Sequence, residues 1–188
     1  MIHYIGSILS WDVQSGNNIP TSDGSHFTFH SRKQRKLSTG QKIPDSLNEY
    51  SFKVEVETFS DNTTFAIGME SDTSYVEYHS GLGAINDDKG VLVDVGRIEE
   101  NSIISCQLRR ICFDDKTVQI ISFLTNNLVI GSWPVLGKNL RPKISFIPKE
   151  EELGSLKIKA VLGSCEPISS IGNFGKLSNS QGICNFMN

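Results

Sequence analysis

A chain of 188 residues with 18 Lys and Arg against 21 Asp and Glu carries a formal net charge of -3. That balance argues against a nucleic-acid partner, which calls for a basic surplus, and a hydrophobic share of 38% argues against wholesale disorder. No run of roughly 18 apolar residues exists to span a membrane, and one domain of this length buries about two thirds of its extended-chain surface without needing a metal or a disulfide.

The opening Met1-Ile2-His3-Tyr4-Ile5 lacks the basic start and unbroken apolar run of a secretory signal. The expected compartment is therefore the cytoplasm, or the nucleus. The four cysteines, Cys106, Cys112, Cys165 and Cys184, show no Cys-x-x-Cys and no zinc spacing, so free thiols are expected. Cys165 and Cys184 are a candidate pair only in a secreted chain.

In chain order, His26 to His30 predicts a short strand with Phe27 and Phe29 on one face. Arg32-Lys33-Gln34-Arg35-Lys36 follows. It reads as a solvated loop between strands, or else as a nuclear-localisation or phosphate-contacting run. Tyr50 to Glu57 alternates without a break, sending Tyr50, Phe52, Val54 and Val56 to one face and Lys53, Glu55 and Glu57 to the other. One buried face and one wet face is the habit of antiparallel sheets. After the turn signal Asp61-Asn62, Phe65, Ile67 and Met69 alternate with Ala66 and Gly68. Glu70 to His79 reads as a loop. Gly81-Leu82-Gly83 reads as a turn.

Past the turn at Asp87 to Gly90, Val91, Val93 and Val95 form another apolar set, and Ile104, Cys106 and Leu108 a further one. Asp114-Asp115-Lys116 precedes Thr117 to Thr125, a run rich in β-branched residues. Asn126-Asn127 then predicts a tight hairpin, because a two-residue loop demands positive φ at both positions and Asn tolerates it best after Gly. Leu128 to Trp133, Lys143 to Ile147 and Leu156 to Leu162 close the series. Many short strands with polar turns between them predict an all-β fold over residues 1–163, a sandwich or a barrel. Residues 164–188, rich in Ser, Gly and Asn, are expected to be a tail, docked or partly disordered.

The order of pieces resembles the SPRY domain family. Trp11, Ser22-Asp23-Gly24, Tyr50-Ser51-Phe52-Lys53-Val54-Glu55-Val56, Phe65-Ala66-Ile67-Gly68-Met69 and Tyr78-His79-Ser80-Gly81 stand in the family's sequence of motifs. Phe123 to Gly131 matches its hairpin, with Asn127 where the family has Gly, and Leu140-Arg141-Pro142-Lys143-Ile144 matches the element after it. The opening of the strand at Ile103 departs from the family pattern. The resemblance, collinear over residues 11 to 163, implies a bent sandwich of two antiparallel sheets, of jelly-roll type, that holds a protein or peptide with its loops, often as an adaptor. It places the partner-binding surface on Asp72, Tyr75, Glu77 and Tyr78, together with Pro148 and Lys149 in a second loop. It puts Trp133 in the core.

Chemistry is sparse. His26 and His30 would lie about 13 Å apart on a strand, too far for one metal ion. Gly81-Leu82-Gly83 lacks the third glycine and the helix of a dinucleotide loop, and no Gly-x-Ser-x-Gly, His-Glu-x-x-His or Walker sequence occurs. Neither enzyme activity nor a metal or cofactor is expected. A lectin-like carbohydrate-binding sandwich is the alternative, since it shares this architecture. It would need clustered polar residues beside an exposed aromatic, or a calcium site. A hydrolase would need His79 beside a carboxylate and a nucleophile.

Overall fold

The computed structural model describes residues 9–12, 25–113, 116–150 and 152–163. The Ser22-Asp23-Gly24 segment, the turn acids Asp114 and Asp115, Cys165, Cys184 and the tail 164–188 lie outside the described residues.

The described residues form thirteen strands and no helix. They are β1 (Trp11–Asp12), β2 (His26–Ser31), β3 (Arg35–Thr39), β4 (Glu49–Phe59), β5 (Thr63–Glu70), β6 (Tyr75–His79), β7 (Ala84–Asp87), β8 (Gly90–Asp94), β9 (Ser102–Phe113), β10 (Lys116–Thr125), β11 (Leu128–Val135), β12 (Arg141–Pro148) and β13 (Gly154–Leu162). Every pairing is antiparallel. One sheet has seven strands in the order β1-β3-β12-β5-β6-β7-β8, and the other has six in the order β11-β10-β9-β4-β13-β2. The two face each other as an open sandwich, one of the two all-β forms the alternation predicts and the one the resemblance implies.

The inward side of each strand makes the core. Tyr50, Phe52, Val54 and Val56 of β4 are all buried, as are Ile104, Cys106 and Leu108 of β9 and Leu156, Ile158 and Ala160 of β13. Burying each large side chain contributes roughly 1.5–3 kcal/mol. Aromatic rings tie one sheet to the other. Phe29 of β2 stacks on Phe146 of β12 at 5.5 Å, and Phe59 of β4 meets Phe65 of β5 edge-on at 5.5 Å. Trp11 packs edge-on to Phe27 and Phe52 and donates through Nε1 to the Ala160 carbonyl at 3.3 Å. Trp133 lies against Phe123 with ring centres 6.1 Å apart, half-buried on the core side of edge strand β11, where the resemblance implied it. Burial also pushes the Cys106 thiol well above its ordinary pKa, whereas Cys112 is exposed.

Three local expectations need correction. Residues 75–79, read as loop, form β6, a central strand hydrogen-bonded on both sides. Arg35 and Lys36 belong to β3 rather than to a loop, and Lys36 reaches the Glu70 carboxylate across the sheet. Val91 is 60% exposed because its strand lies at the sheet edge, past a register shift between Ile85 and Asn86. Strand β7, for which the sequence gives no expectation, has only four residues, too few to show a period.

The hairpin expectation holds in detail. Asn126 and Asn127 have φ of 47° and 68°, and Asn126 Oδ1 accepts from the Ile103 amide at 3.0 Å. Replacing Asn127 by Ala should lower stability by about 1 kcal/mol, because Ala keeps the Cβ in the left-handed region but lacks the short polar side chain that makes it tolerable there. Asn127→Gly should be neutral or stabilising. Thermal unfolding of the two variants side by side checks the sign.

Candidate partner-binding surface

The sandwich has two ends, and strand register decides which loops share one. Glu70 pairs with Tyr75 and with Arg141, so the β5–β6 turn and the β11–β12 loop meet at the same end. They are laced together. The Asp72 amide donates to the Lys138 carbonyl at 3.2 Å, and Asp72 Oδ1 accepts from the Lys138 amide at 2.9 Å. The Ser71 and Ser74 hydroxyls both donate to the Leu136 carbonyl, at 3.1 and 2.6 Å. Gly137 sits at a φ of +99°, and a Cβ there would lie 2.4 Å from Ser71 Oγ, so only glycine fits where the two loops touch. The result is a fixed platform from which Leu136 projects, 72% exposed, with Asp72, Thr73 and Lys138 exposed around it.

A buried cation braces this end from below. Arg110 continues the inward parity of Ile104, Cys106 and Leu108 and lies at the edge of the core. Its guanidinium donates to the carbonyls of Pro44 and Leu47 at 2.6 and 2.7 Å and to Gln119 Oε1 at 3.1 Å. Gln119 Nε2 passes the connection on to the Gly137 carbonyl at 2.8 Å. Desolvation pulls the Arg110 pKa below its ordinary value, opposed by Asp45 at 3.7 Å. One arginine thus fixes the loop before β4 and, through Gln119, the loop that carries Leu136.

The six residues expected at the surface do not form one patch. Asp72 belongs to the platform. Tyr75, half-buried, stands at the start of β6 with Lys143 Nζ 4.9 Å from its ring centre. Glu77 is buried on the outer face of the seven-stranded sheet, paired with Lys143 at 2.8 Å. Tyr78 points the other way. It is wholly buried in the core, its hydroxyl accepting from the Ile98 amide at 3.0 Å and donating to the Gly96 carbonyl at 3.3 Å. Burial raises its pKa, and its side chain offers no surface to a partner. Pro148 and Lys149 sit at the opposite end, because Pro148 pairs with Thr63 while Arg141 pairs with Glu70. Seven strand steps separate Arg141 from Pro148, about 23 Å. There the Lys149 ammonium donates to the Asp61 carbonyl at 3.0 Å.

Sequence reasoning missed Leu136, Lys138, Gln119 and Arg110. A lone Leu before Gly137-Lys138-Asn139 is a signal in hindsight, since a loop-forming stretch leaves its apolar neighbour outside. Among the described residues no cluster of three His, Cys, Asp or Glu could hold a metal ion. His79 Nδ1 is buried without a hydrogen-bond partner, and the Glu77 carboxylate is committed to Lys143, so no oriented acid-base pair forms there.

No protein-family model and no curated protein matches the chain. Solved structures do match it, and all of the following are sandwich folds. The SPRY domain of human HERC1 superposes with a TM-score of 0.58 at 11% identity, over 84% of this chain and 100% of that one. A second human SPRY domain gives 0.55 at 14% identity, over 77% and 94%. The carbohydrate recognition domain of Emp46p in its potassium-bound form gives 0.50 at 9% identity, over 80% and 88%. The likeness defines the class first, an open sandwich of two antiparallel sheets. Within that class the chain has the fold of SPRY domains, as the order of its motifs implied.

Proposed function

We propose that this chain is a protein-interaction module, working as an adaptor inside the cell, that grips a peptide or protein surface with the end built from the β5–β6 turn and the β11–β12 loop. The observation that carries this reading is Leu136, held 72% exposed on a loop that hydrogen bonds and Gly137 keep rigid. An apolar side chain fixed in water gains roughly 1.5–3 kcal/mol when a partner covers it. Because the loop is already ordered, little of that gain is lost to ordering it on binding. Asp72 and Lys138 supply a polar rim around the apolar anchor, the usual arrangement of a protein interface. The SPRY fold supports the reading.

The test is affinity capture with wild type and Leu136→Asp, followed by binding measurements on whatever protein is retained. Leu136→Asp should weaken binding about 30-fold, the loss of a 2 kcal/mol anchor, with thermal stability unchanged. Lys149→Ala, at the far end, should bind as wild type. Equal capture by Leu136→Asp would overturn the assignment of this end. A tyrosine scan is less informative, since Tyr78→Ala would hollow the core.

A further inference from the structure

Two consecutive carbonyls of the β11–β12 loop are held from different sides. The Leu136 carbonyl accepts from Ser71 and Ser74 in the β5–β6 turn. The Gly137 carbonyl accepts from Gln119 Nε2 of β10 at 2.8 Å. Register explains how Gln119 reaches it. Gln119 pairs with Arg110 on one side and with Val135 on the other, and both neighbours are buried. Its side chain therefore points inward with theirs, beneath the place where the chain leaves β11 for the loop. Gly137 needs that bond more than another residue would. At a φ of +99° it has no side chain to hold its own backbone, and glycine's wide range of allowed conformations lets a loop drift once an outside bond is lost.

The amide of Gln119 has one workable orientation. Arg110 Nε can only donate, so Gln119 must offer it Oε1, at 3.1 Å. A carbonyl can only accept, so Gln119 must offer Nε2 to Gly137. A flipped amide would set donor against donor and acceptor against acceptor. We infer that Gln119 is a positioning residue for partner binding: its amide, locked by Arg110, fixes the Gly137 carbonyl and with it the way Leu136 is presented. The inference rests on the reading of Leu136 as the partner's anchor. Gln119 acts through the loop rather than by contact, because it is half-buried and both ends of its amide are spent within the protein. The serines alone would hold the loop from the side of the β5–β6 turn and leave its inner side untied.

The experiment compares the full chain with Gln119→Glu and Gln119→Met. Gln119→Glu keeps an acceptor for Arg110, now charged, but brings no donor to the Gly137 carbonyl. Gln119→Met loses both bonds. Gln119→Glu should therefore melt at a higher temperature than Gln119→Met, while the loop is released in both. The reporters are the Lys138 amide, which donates to Asp72 Oδ1, and the Asp72 amide, which donates to the Lys138 carbonyl. Both should exchange with deuterium about fivefold faster in either variant, the scale of one lost hydrogen bond. Affinity for the protein that wild type retains in capture should fall by about the same factor in both. An affinity that follows melting temperature, lost in Gln119→Met and kept in Gln119→Glu, would overturn the inference and leave Gln119 a merely structural residue. So would wild-type exchange at Asp72 and Lys138 in Gln119→Glu. Exchange is read on the chain alone, so the loop's dependence on Gln119 is decided whatever Leu136→Asp does to capture, and the two readings fall separately.

Discussion

Arg110→Met should cost about 2 to 3 kcal/mol of folding stability, an effect out of proportion to one residue at the edge of the core. Met keeps the stem and its packing but removes every donor. The carbonyls of Pro44 and Leu47 then lose their partner, at about 1.5 kcal/mol for each charge-assisted bond. Two terms work in the opposite direction or count for little. Removing the guanidinium recovers the desolvation that depresses its pKa. The contact with Asp45, long at 3.7 Å and made to an exposed carboxylate, adds almost nothing. The bonds outweigh both because the carbonyls remain near the core without a donor. Arg110→Lys should recover part of the loss, since an ammonium reaches one carbonyl but cannot span Pro44, Leu47 and Gln119 together. Urea unfolding checks this. The midpoint should fall while the slope stays constant, and the 40–48 loop should exchange its amide hydrogens faster. An unchanged midpoint would show that water replaces the arginine without loss.

The contrast between Arg110 and Tyr78 explains how far the sequence could be read. Alternation is a strong signal where one face of a strand is apolar and the other charged. β4, β9 and β13 satisfy that condition, and their buried residues follow the parity, with Ser105 of β9 the one exception. The hairpin at Asn126-Asn127 was legible because its residue types answer a backbone demand rather than a packing one. The parity of β9 also reaches Arg110, but a charge at an inward position looks like the end of a strand, so its role stayed hidden. Tyr75 to His79 failed for the opposite reason. Its polar Glu77 and His79 made a central strand resemble a loop, although Val76 and Tyr78 carry the inward period. The separation of Asp72 from Lys149 depends on which strands pair and in what register. No local pattern encodes that, and the platform around Leu136 was invisible for the same cause.

Gly68 offers the second large effect, and there propensity and geometry predict opposite signs. Gly68→Val should stabilise by propensity alone, because a β-branched residue suits a central strand and glycine weakens it, over a range of about 1 kcal/mol. Geometry reverses this. A Cβ at position 68 would lie 2.2 Å from the Val76 carbonyl oxygen and 2.5 and 2.6 Å from the Cα and Cβ of Glu77. Two of these atoms are backbone, so no rotamer change relieves the contact. β5 and β6 would have to spread, and their ladder runs from Ala66–His79 to Glu70–Tyr75. The added methyls would also stand beneath the Lys143–Glu77 bridge, which crosses this position with both side chains largely withdrawn from water. Overpacking of this kind costs about 3 kcal/mol, and partial loss of a buried ion pair adds to it. Gly68→Ala should already lower the melting temperature, and Gly68→Val should lower it further. The damage should extend to the turn after Glu70, where Asp72 holds Lys138, so capture through the Leu136 platform should weaken in the same variants. A melting temperature equal to or above wild type in Gly68→Val would mean that the strands part without cost, and that the close approach of β5 and β6 does not hold this face together.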